Sequence, residues 1–237
     1  MTKESNPQHR EPPNLGAVPR DPESRVPIVL SAIAGMVDVI GFLSFQLFTA
    51  HITGNLVLIA AQLVSGGLPN ISVILSIPVF ALAVVIAWLI ARELSRRGPR
   101  SSKPLLLLQF LLLICVLIIS VIFAPAQNPH ELMAVVAPMI AISAMATQFT
   151  LLRQEFPQSP STAVMTGNLT NAVLSLMDII SRREPASSEA SQRLKKTAIA
   201  LGGFFGGCIT GALAVLLLGN WSWSLPVILA GMAVVVL

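Results

Sequence analysis

Residues 104–124 read PLLLLQFLLLICVLIISVIFA, a stretch of sequence without a single charged side chain. An α-helix needs about 20 mostly apolar residues to cross the hydrocarbon core of a bilayer. This stretch therefore predicts a transmembrane helix. Similar stretches predict five further spans, at 27–49, 72–91, 132–152, 197–218 and 222–237.

The overall composition supports a membrane protein. Hydrophobic residues make up 54% of the 237 residues, and charged residues make up only 11%. A soluble domain carries about 25% charged residues, so too few polar side chains remain here to cover a soluble core. The composition predicts an all-α, polytopic membrane helix bundle whose main partner is the lipid bilayer.

The basic residues are concentrated beside the predicted spans. Fourteen of the fifteen Lys and Arg residues lie in the stretches 1–25, 92–103 and 182–196. This distribution indicates membrane orientation, because basic loops stay on the cytoplasmic side, and it argues against a nucleic-acid-binding surface. The proline-rich stretch 1–26 has no apolar segment typical of a signal peptide. It is predicted to be a disordered cytoplasmic tail.

Two shorter apolar segments, 52–65 and 163–180, begin alike. Thr-Gly-Asn-Leu occurs at 53–56 and again at 166–169, and two further spans follow each segment. The order of segments predicts an internal repeat. The first membrane repeat is 27–124 and the second is 125–237.

The charge pattern distinguishes two topologies. If both short segments enter and leave on one side, all three basic stretches lie on the same side of the membrane, as the positive-inside rule requires. Each repeat then crosses three times, so the second repeat is inverted. This predicts six transmembrane helices plus two re-entrant half-helices, with cytoplasmic termini. Eight full crossings remain the alternative. Inverted repeats with interrupted helices are typical of transporters.

Asp38 lies about halfway along the first span. A carboxylate at that depth costs several kcal/mol, about 3 by insertion scales, unless it is paired, hydrated or protonated. The functional interpretation is that Asp38 handles a solute or a proton. The structural alternative is a protonated side chain that bonds a neighbouring helix or caps a broken one.

The repeated motif is predicted to precede each short helix. The N–H groups at a helix start lack partners, and the helix dipole there favours an anionic or oxygen-rich solute. Self-capping of the two segments is the alternative. The candidate solute-binding residues are Thr53, Gly54, Asn55, Thr166, Gly167 and Asn168.

Two more polar residues are candidates for the same site. His51 stands just before the first motif, either as a pH-sensitive gate or as an interfacial residue that bonds the loop. Gln148 is placed to bond Asp38 or the second motif, or to hold helices together. The three histidines lie in different regions, so no metal site, cofactor site or catalytic group set is predicted, and an enzyme is not expected. Small-residue pairs among Gly202, Gly203, Gly206, Gly207 and Gly211 indicate close packing, within the bundle or between protomers of a homo-oligomer.

Some of these residues also suggest a family. Gly35-x-x-Asp38-x-x-Gly41-Phe42, followed by His51-Ile52-Thr53-Gly54-Asn55, resembles the YoaK-like family of uncharacterised bacterial membrane proteins. Gln148 and Thr166-Gly167 extend the similarity into the second half, although Phe149 stands where that family tends to have Asn. The resemblance implies a bacterial inner-membrane protein with about six spans, and it supplies no established substrate.

Together these patterns predict a channel or secondary transporter for a small polar or anionic solute. The path is expected where the two Thr-Gly-Asn segments meet, with Asp38 as a gate or proton site. The alternative function is a non-transporting membrane scaffold or sensor. In that case the motifs only cap helices, and the stretches 92–103 and 182–196 bind partners or anionic lipid.

Overall fold

The computed structural model describes residues 22–66, 70–97, 103–125, 131–157, 159–162, 164–181 and 186–236. Regular secondary structure in these ranges is entirely helical. The helices are α1 (Pro22–Phe45), α2 (Ile52–Val64), α3 (Ile71–Arg97), α4 (Lys103–Phe123), α5 (Leu132–Glu155), α6 (Met165–Ile180), α7 (Ala186–Leu218) and α8 (Ser224–Val236). A short 3-10 helix, Gly219–Trp223, joins α7 to α8. The predicted tail lies outside the described residues except for 22–26, which begin α1.

Five stretches of the described chain are long and apolar enough to cross a membrane. They are 26–45, 71–96, 103–123, 132–155 and the continuous stretch 189–235, which contains both α7 and α8. The predicted all-helical fold is confirmed in the described residues, and these stretches indicate a multi-pass membrane protein. The short helix α2 was expected from the sequence and is present, as is α6.

Some helix boundaries differ from the sequence prediction. The first span ends at Phe45 rather than at residue 49, because Gln46 adopts a left-handed φ of 57° that breaks the helix. The basic segments 92–97 and 186–196 were expected to be loops but continue α3 and α7. Long basic side chains keep such a helical extension soluble beyond its apolar part.

A row of glycines joins α7 to α1. The glycines at 203, 207 and 211 face the backbone of α1 near residues 28, 32 and 36, respectively. A Cβ at Gly203 would lie 3.1 Å from the carbonyl oxygen of Ile28, and one at Gly207 would overlap the carbonyl of Ala32. Small residues allow this close approach. Because the residue numbers rise together, α1 and α7 run in the same direction.

Helices α3 and α5 form a second pair that packs like α7 and α1. In this pair the first helix of the second half, α5, packs along a helix of the first half, α3. The Ser72 hydroxyl lies 3.5 Å from the carbonyl oxygen of Ala134, where both helices begin. Further along, the rings of Phe80 and Phe149 approach to 6.1 Å. Helices α3 and α5 are therefore also parallel. The first helix of each half packs against a helix of the other half, so the halves share one core.

The remaining contacts fix the other directions. Gln109 near the start of α4 bonds the end of α5, so these two helices are antiparallel. Phe110 faces Gly231 in the middle of α8, and Phe45 at the end of α1 stacks on Trp223 just before α8 begins. Helix α8 is thus antiparallel to α1. Gln148, in the second half of α5, bonds Leu30 near the start of α1 as well as Gln109, so α5 is antiparallel to both α1 and α4. It follows that α1, α4 and α7 point one way, whereas α3, α5 and α8 point the other way.

Candidate solute-binding site

The chain turns back after α1 and forms a return loop, residues 46–51. The ring of Phe48 stacks on that of Phe42 with centroids 4.9 Å apart. The Thr49 hydroxyl donates a hydrogen bond of 3.0 Å to the carbonyl oxygen of Val37. The loop therefore descends along the last two turns of α1, and α2 begins about 10 Å before the end of α1, beside Asp38.

Asp38 holds this loop through its main chain. The carboxylate oxygen Oδ1 accepts hydrogen bonds from the N–H groups of Thr49 at 2.9 Å, Ala50 at 2.8 Å and His51 at 3.4 Å. Asp38 is only 6% exposed. Non-helical N–H groups inside a membrane bundle need hydrogen-bond acceptors. An ionised carboxylate is the strongest acceptor among the side chains. Asp38 and these three N–H groups together form what we call the amide cradle.

His51 completes a titratable pair with Asp38. Its Nδ1 atom lies 2.7 Å from the second carboxylate oxygen, Oδ2. The His51 ring also packs edge-on against the ring of Phe204 in α7, with centroids 5.2 Å apart. The His51 side chain is 28% exposed, whereas that of Asp38 is 8% exposed. The imidazole of His51 therefore lies between the buried carboxylate of Asp38 and the more exposed side of the pair.

Asn55 is fully buried and fixes the return loop from the other side. Its Oδ1 accepts the Phe48 N–H at 2.8 Å, and its Nδ2 donates to the Phe48 carbonyl at 2.8 Å and to the Ser76 hydroxyl at 3.0 Å. Gly54 lies against the ring of Phe48, where a Cβ would come within 2.8 Å. Thr53 is exposed. Asn55 therefore joins the loop to α3.

The prediction that each motif precedes its helix is wrong. Helix α2 already begins at Ile52 and α6 at Met165, so the motif residues lie in the first turn of each helix. The residues before these starts, His51 and Val164, make no side-chain capping bond. The physical reason in the first half is that Asp38 accepts the loop N–H groups from outside, so no motif side chain is needed as the cap.

The segment before α6, whose described residues are 156–157, 159–162 and 164, contains the same bond and is called the second return loop. Asn168 Nδ2 donates to the carbonyl of Ser161 at 2.8 Å, seven residues upstream, just as Asn55 bonds Phe48. Asn168 is buried, Thr166 is exposed, and a Cβ at Gly167 would lie 3.3 Å from Val164. The repeat seen in the sequence is therefore a repeat of hydrogen-bonded structure.

Gln148 takes the role in the second half that Asp38 has in the first. Its Nε2 donates to the carbonyl of Leu30 at 2.9 Å and lies 3.4 Å from the hydroxyl of Thr162. Its Oε1 accepts a bond of 2.7 Å from Gln109. These bonds go to Thr162, four residues before the second motif, and to two other helices, rather than to Asp38 or to the motif itself. The first return loop is thus held by a carboxylate–imidazole pair and the second by an amide side chain.

The starts of the two short helices lie at different depths. One is anchored at Asp38, and the other is held near Leu30, eight residues earlier and about 12 Å away along α1. Apolar side chains with no exposed surface fill the α1 and α5 faces between these levels. They are Ile33, Ala34, Val37, Ala141, Ile142 and Met145. A dry, closely packed layer therefore separates the two return loops.

Sequence reasoning missed the residues that hold these loops. Thr49 and Thr162 each stand four residues before a Thr-Gly-Asn motif, so an alignment of the repeats contains this signal. Ser76 and Gln109 carry no such signal, because they act from other helices.

Fold and composition indicate a multi-pass helical membrane protein with two short helices, α2 and α6, each preceded by a loop that is bonded to the bundle. Residues 26–237 match the family described as Protein of unknown function (DUF1275), and the chain belongs to that family. This match is consistent with the YoaK-like resemblance of its motifs. No curated protein and no solved structure is significantly similar to the chain.

Proposed function

We propose that the chain is a secondary transporter for a small anionic solute, built from two inverted halves. It has six crossing helices, with α2 and α6 as re-entrant half-helices. The helix directions support this layout, because equivalent helices of the two halves, such as α1 and α5, are antiparallel. In an eight-crossing layout α1 and α4 would run in opposite directions, whereas the bonds of Gln148 to Leu30 and Gln109 favour a parallel arrangement.

The basic residues support one orientation. With these directions, every described Lys and Arg lies at the same end of the bundle, where α1, α4 and α7 begin and where α3 and α5 end. Arg153, the single basic residue outside the three basic stretches, lies at this end too. By the positive-inside rule this end is cytoplasmic. We place the protein in the bacterial inner membrane with both termini in the cytoplasm.

The amide cradle around Asp38 is the observation that carries the proposal. The Asp38 carboxylate accepts hydrogen bonds from the loop N–H groups just before α2. The dipole at the start of that helix also favours an anion. A proton that arrives through His51 neutralises the carboxylate and weakens its bonds to the loop. The same N–H groups are then available to an anionic solute. Proton and anion binding thereby favour each other, and this links proton movement to solute movement.

The asymmetry between the halves gives each a separate task. Gln148 does not titrate, so the second return loop stays fixed while the first responds to protonation. The apolar layer between the loops blocks a continuous water path, which favours alternating access over an open channel. The solute would cross this layer only when the halves move relative to each other at the α1–α7 and α3–α5 contacts.

Uptake of labelled anions into proteoliposomes tests the function. We expect a panel of formate, acetate, nitrate, sulfate and phosphate to include an anion that the protein carries. Asp38→Asn should abolish that uptake, whereas Asp178→Asn, a matched change in α6, should preserve it. Equal uptake by the wild type and Asp38→Asn would remove Asp38 from the mechanism.

A scaffold or sensor without transport is the second candidate. The bonds of Asn55 and Asn168 favour it, because both side chains are engaged in fixing the loops. This function is supported if the folded wild-type protein carries none of the anions in the panel and Asp38→Asn loses its fold.

Single cysteines test the inverted layout. In a background without Cys115 and Cys208, we expect Ser95→Cys and Ser181→Cys to react only from the cytoplasmic side and Ser65→Cys only from the opposite side. Labelling with a membrane-impermeant maleimide in intact cells and in inverted vesicles measures this directly. An eight-crossing chain would instead place positions 65 and 181 together and position 95 opposite them.

A further inference from the structure

The basic end of the bundle contains a groove between α3 and α5. A deeper part, of about 510 Å³, is bordered by Val84, Val85 and Phe149. An outer part, of about 430 Å³, is bordered by Arg92, Arg96 and Glu155. Trp88 and Gln154 line both parts, so they form one continuous groove.

The deep part of the groove opens towards the surface that faces lipid. Val85 is 51% exposed, and its neighbours Leu82 and Leu89 on α3 are 59% and 50% exposed. These apolar side chains continue the groove wall along the helix. An extended hydrocarbon chain lying there would contact protein on one side and other lipids on the other.

The outer part of the groove is positively charged. Arg92 and Arg96 approach from α3, and Arg153 at the edge of the deep part approaches from α5. The guanidinium of Arg92 lies 5.2 Å from the centroid of the Trp88 ring, which holds it over the groove. Glu155 lines the same part, and Glu93 lies 3.7 Å from Arg96. The three arginines outnumber the two carboxylates, so the net charge of these side chains is positive.

We propose that this groove is a binding site for one anionic phospholipid of the leaflet at the basic end. Arg92 and Arg153 bind the headgroup phosphate from two different helices, and an acyl chain lies along Val85 and Phe149. Arginine forks match phosphate geometry, and tryptophan favours the headgroup level. From Val85 to Arg96 the helix rises about 16 Å, which is long enough for a headgroup and part of a chain.

The location gives the lipid a structural role. Helix α3 belongs to the first half and α5 to the second, so a lipid bound to both helices bridges the halves at the cytoplasmic end. The site requires only that the protein lies in a membrane. It therefore does not depend on whether the protein transports a solute.

Lipid titrations of the purified full chain test the site. We expect dioleoyl phosphatidylglycerol to raise the thermal unfolding temperature and to remain bound in native mass spectra, whereas dioleoyl phosphatidylcholine should do neither. Arg92→Gln with Arg153→Gln should weaken phosphatidylglycerol binding about 30-fold. The matched control, Arg193→Gln with Lys196→Gln on α7, removes the same charge at the same end and should bind as the wild type does.

Three outcomes would overturn the proposal. Equal weakening in both double variants would indicate diffuse attraction to the basic surface. Equal binding of the two lipids would remove the role of headgroup charge. Stabilisation by inorganic phosphate alone at matched concentration would indicate a site for the free ion. Val85→Trp fills the groove without changing any charge, and it provides the test if the arginine variant fails to fold. Unchanged phosphatidylglycerol binding by Val85→Trp would exclude the acyl-chain contact.

Discussion

Asp38→Ala should lower the free energy of unfolding by about 3 kcal/mol or more, because it removes the shared acceptor of three loop N–H groups. Each buried donor left without a partner costs about 1–3 kcal/mol, and no water is present in a bilayer core to replace the carboxylate. Asp38→Asn keeps an acceptor oxygen at the same place. It should lose only the charge-assisted part of these bonds, about 1–2 kcal/mol, and remain folded.

Thermal unfolding in mild detergent measures this difference between the two variants. Asp178→Ala is the matched control, because it removes the other carboxylate in an apolar segment, near the end of α6. It should change stability little. If Asp38→Ala proved as stable as Asp178→Ala, the return loop would not depend on the carboxylate, and the proposed amide cradle would be wrong.

Gly207→Leu should prevent formation of the folded bundle. A Cβ at Gly207 would overlap the carbonyl and main chain of Ala32 in α1. Unlike a side chain, this helical backbone cannot rotate away from the added atom. Forcing larger side chains into a tight contact costs about 1–3 kcal/mol or more, and here the two helices must separate along their length. The contact between the halves would be lost with them.

Gly206→Leu is the control for this prediction. Gly206 is adjacent in sequence, and a Cβ there would meet nothing within 4 Å. The variant should give as much monodisperse protein as the wild type in size-exclusion chromatography. Equal losses for Gly206→Leu and Gly207→Leu would show that side-chain size in α7, rather than its contact with α1, decides folding.

Much of the architecture is predictable because its signals are local. Stretches such as 104–124 determine where helices cross, and basic residues at helix ends indicate orientation. The Thr-Gly-Asn repeat at 53–55 and 166–168 predicts two equivalent halves without any tertiary information. Arg153 lies outside the three basic stretches of the sequence, yet the direction of α5 places it at the same end of the bundle as the other basic residues.

The site itself depends on contacts that no local pattern contains. Residues 46–49, Gln-Leu-Phe-Thr, are compatible with a continued helix, and only the bonds from Asp38 and Asn55 reveal that the chain turns back there. The sequence suggested that the motifs cap their own helices or contact a solute. The structure adds that Asn55 and Asn168 bond loop carbonyls seven residues upstream, whereas contact of the motifs with a solute stays a prediction.

The most direct test of the proposed mechanism is proton movement during anion uptake. Wild-type protein is reconstituted in vesicles loaded with a pH-sensitive dye, and an inward gradient of the transported anion is applied at equal internal and external pH. Our account predicts that the vesicle interior acidifies with anion uptake, and that Asp38→Asn gives no signal whereas Asp178→Asn matches the wild type. Anion uptake by the wild type with no change of internal pH would contradict proton coupling through Asp38.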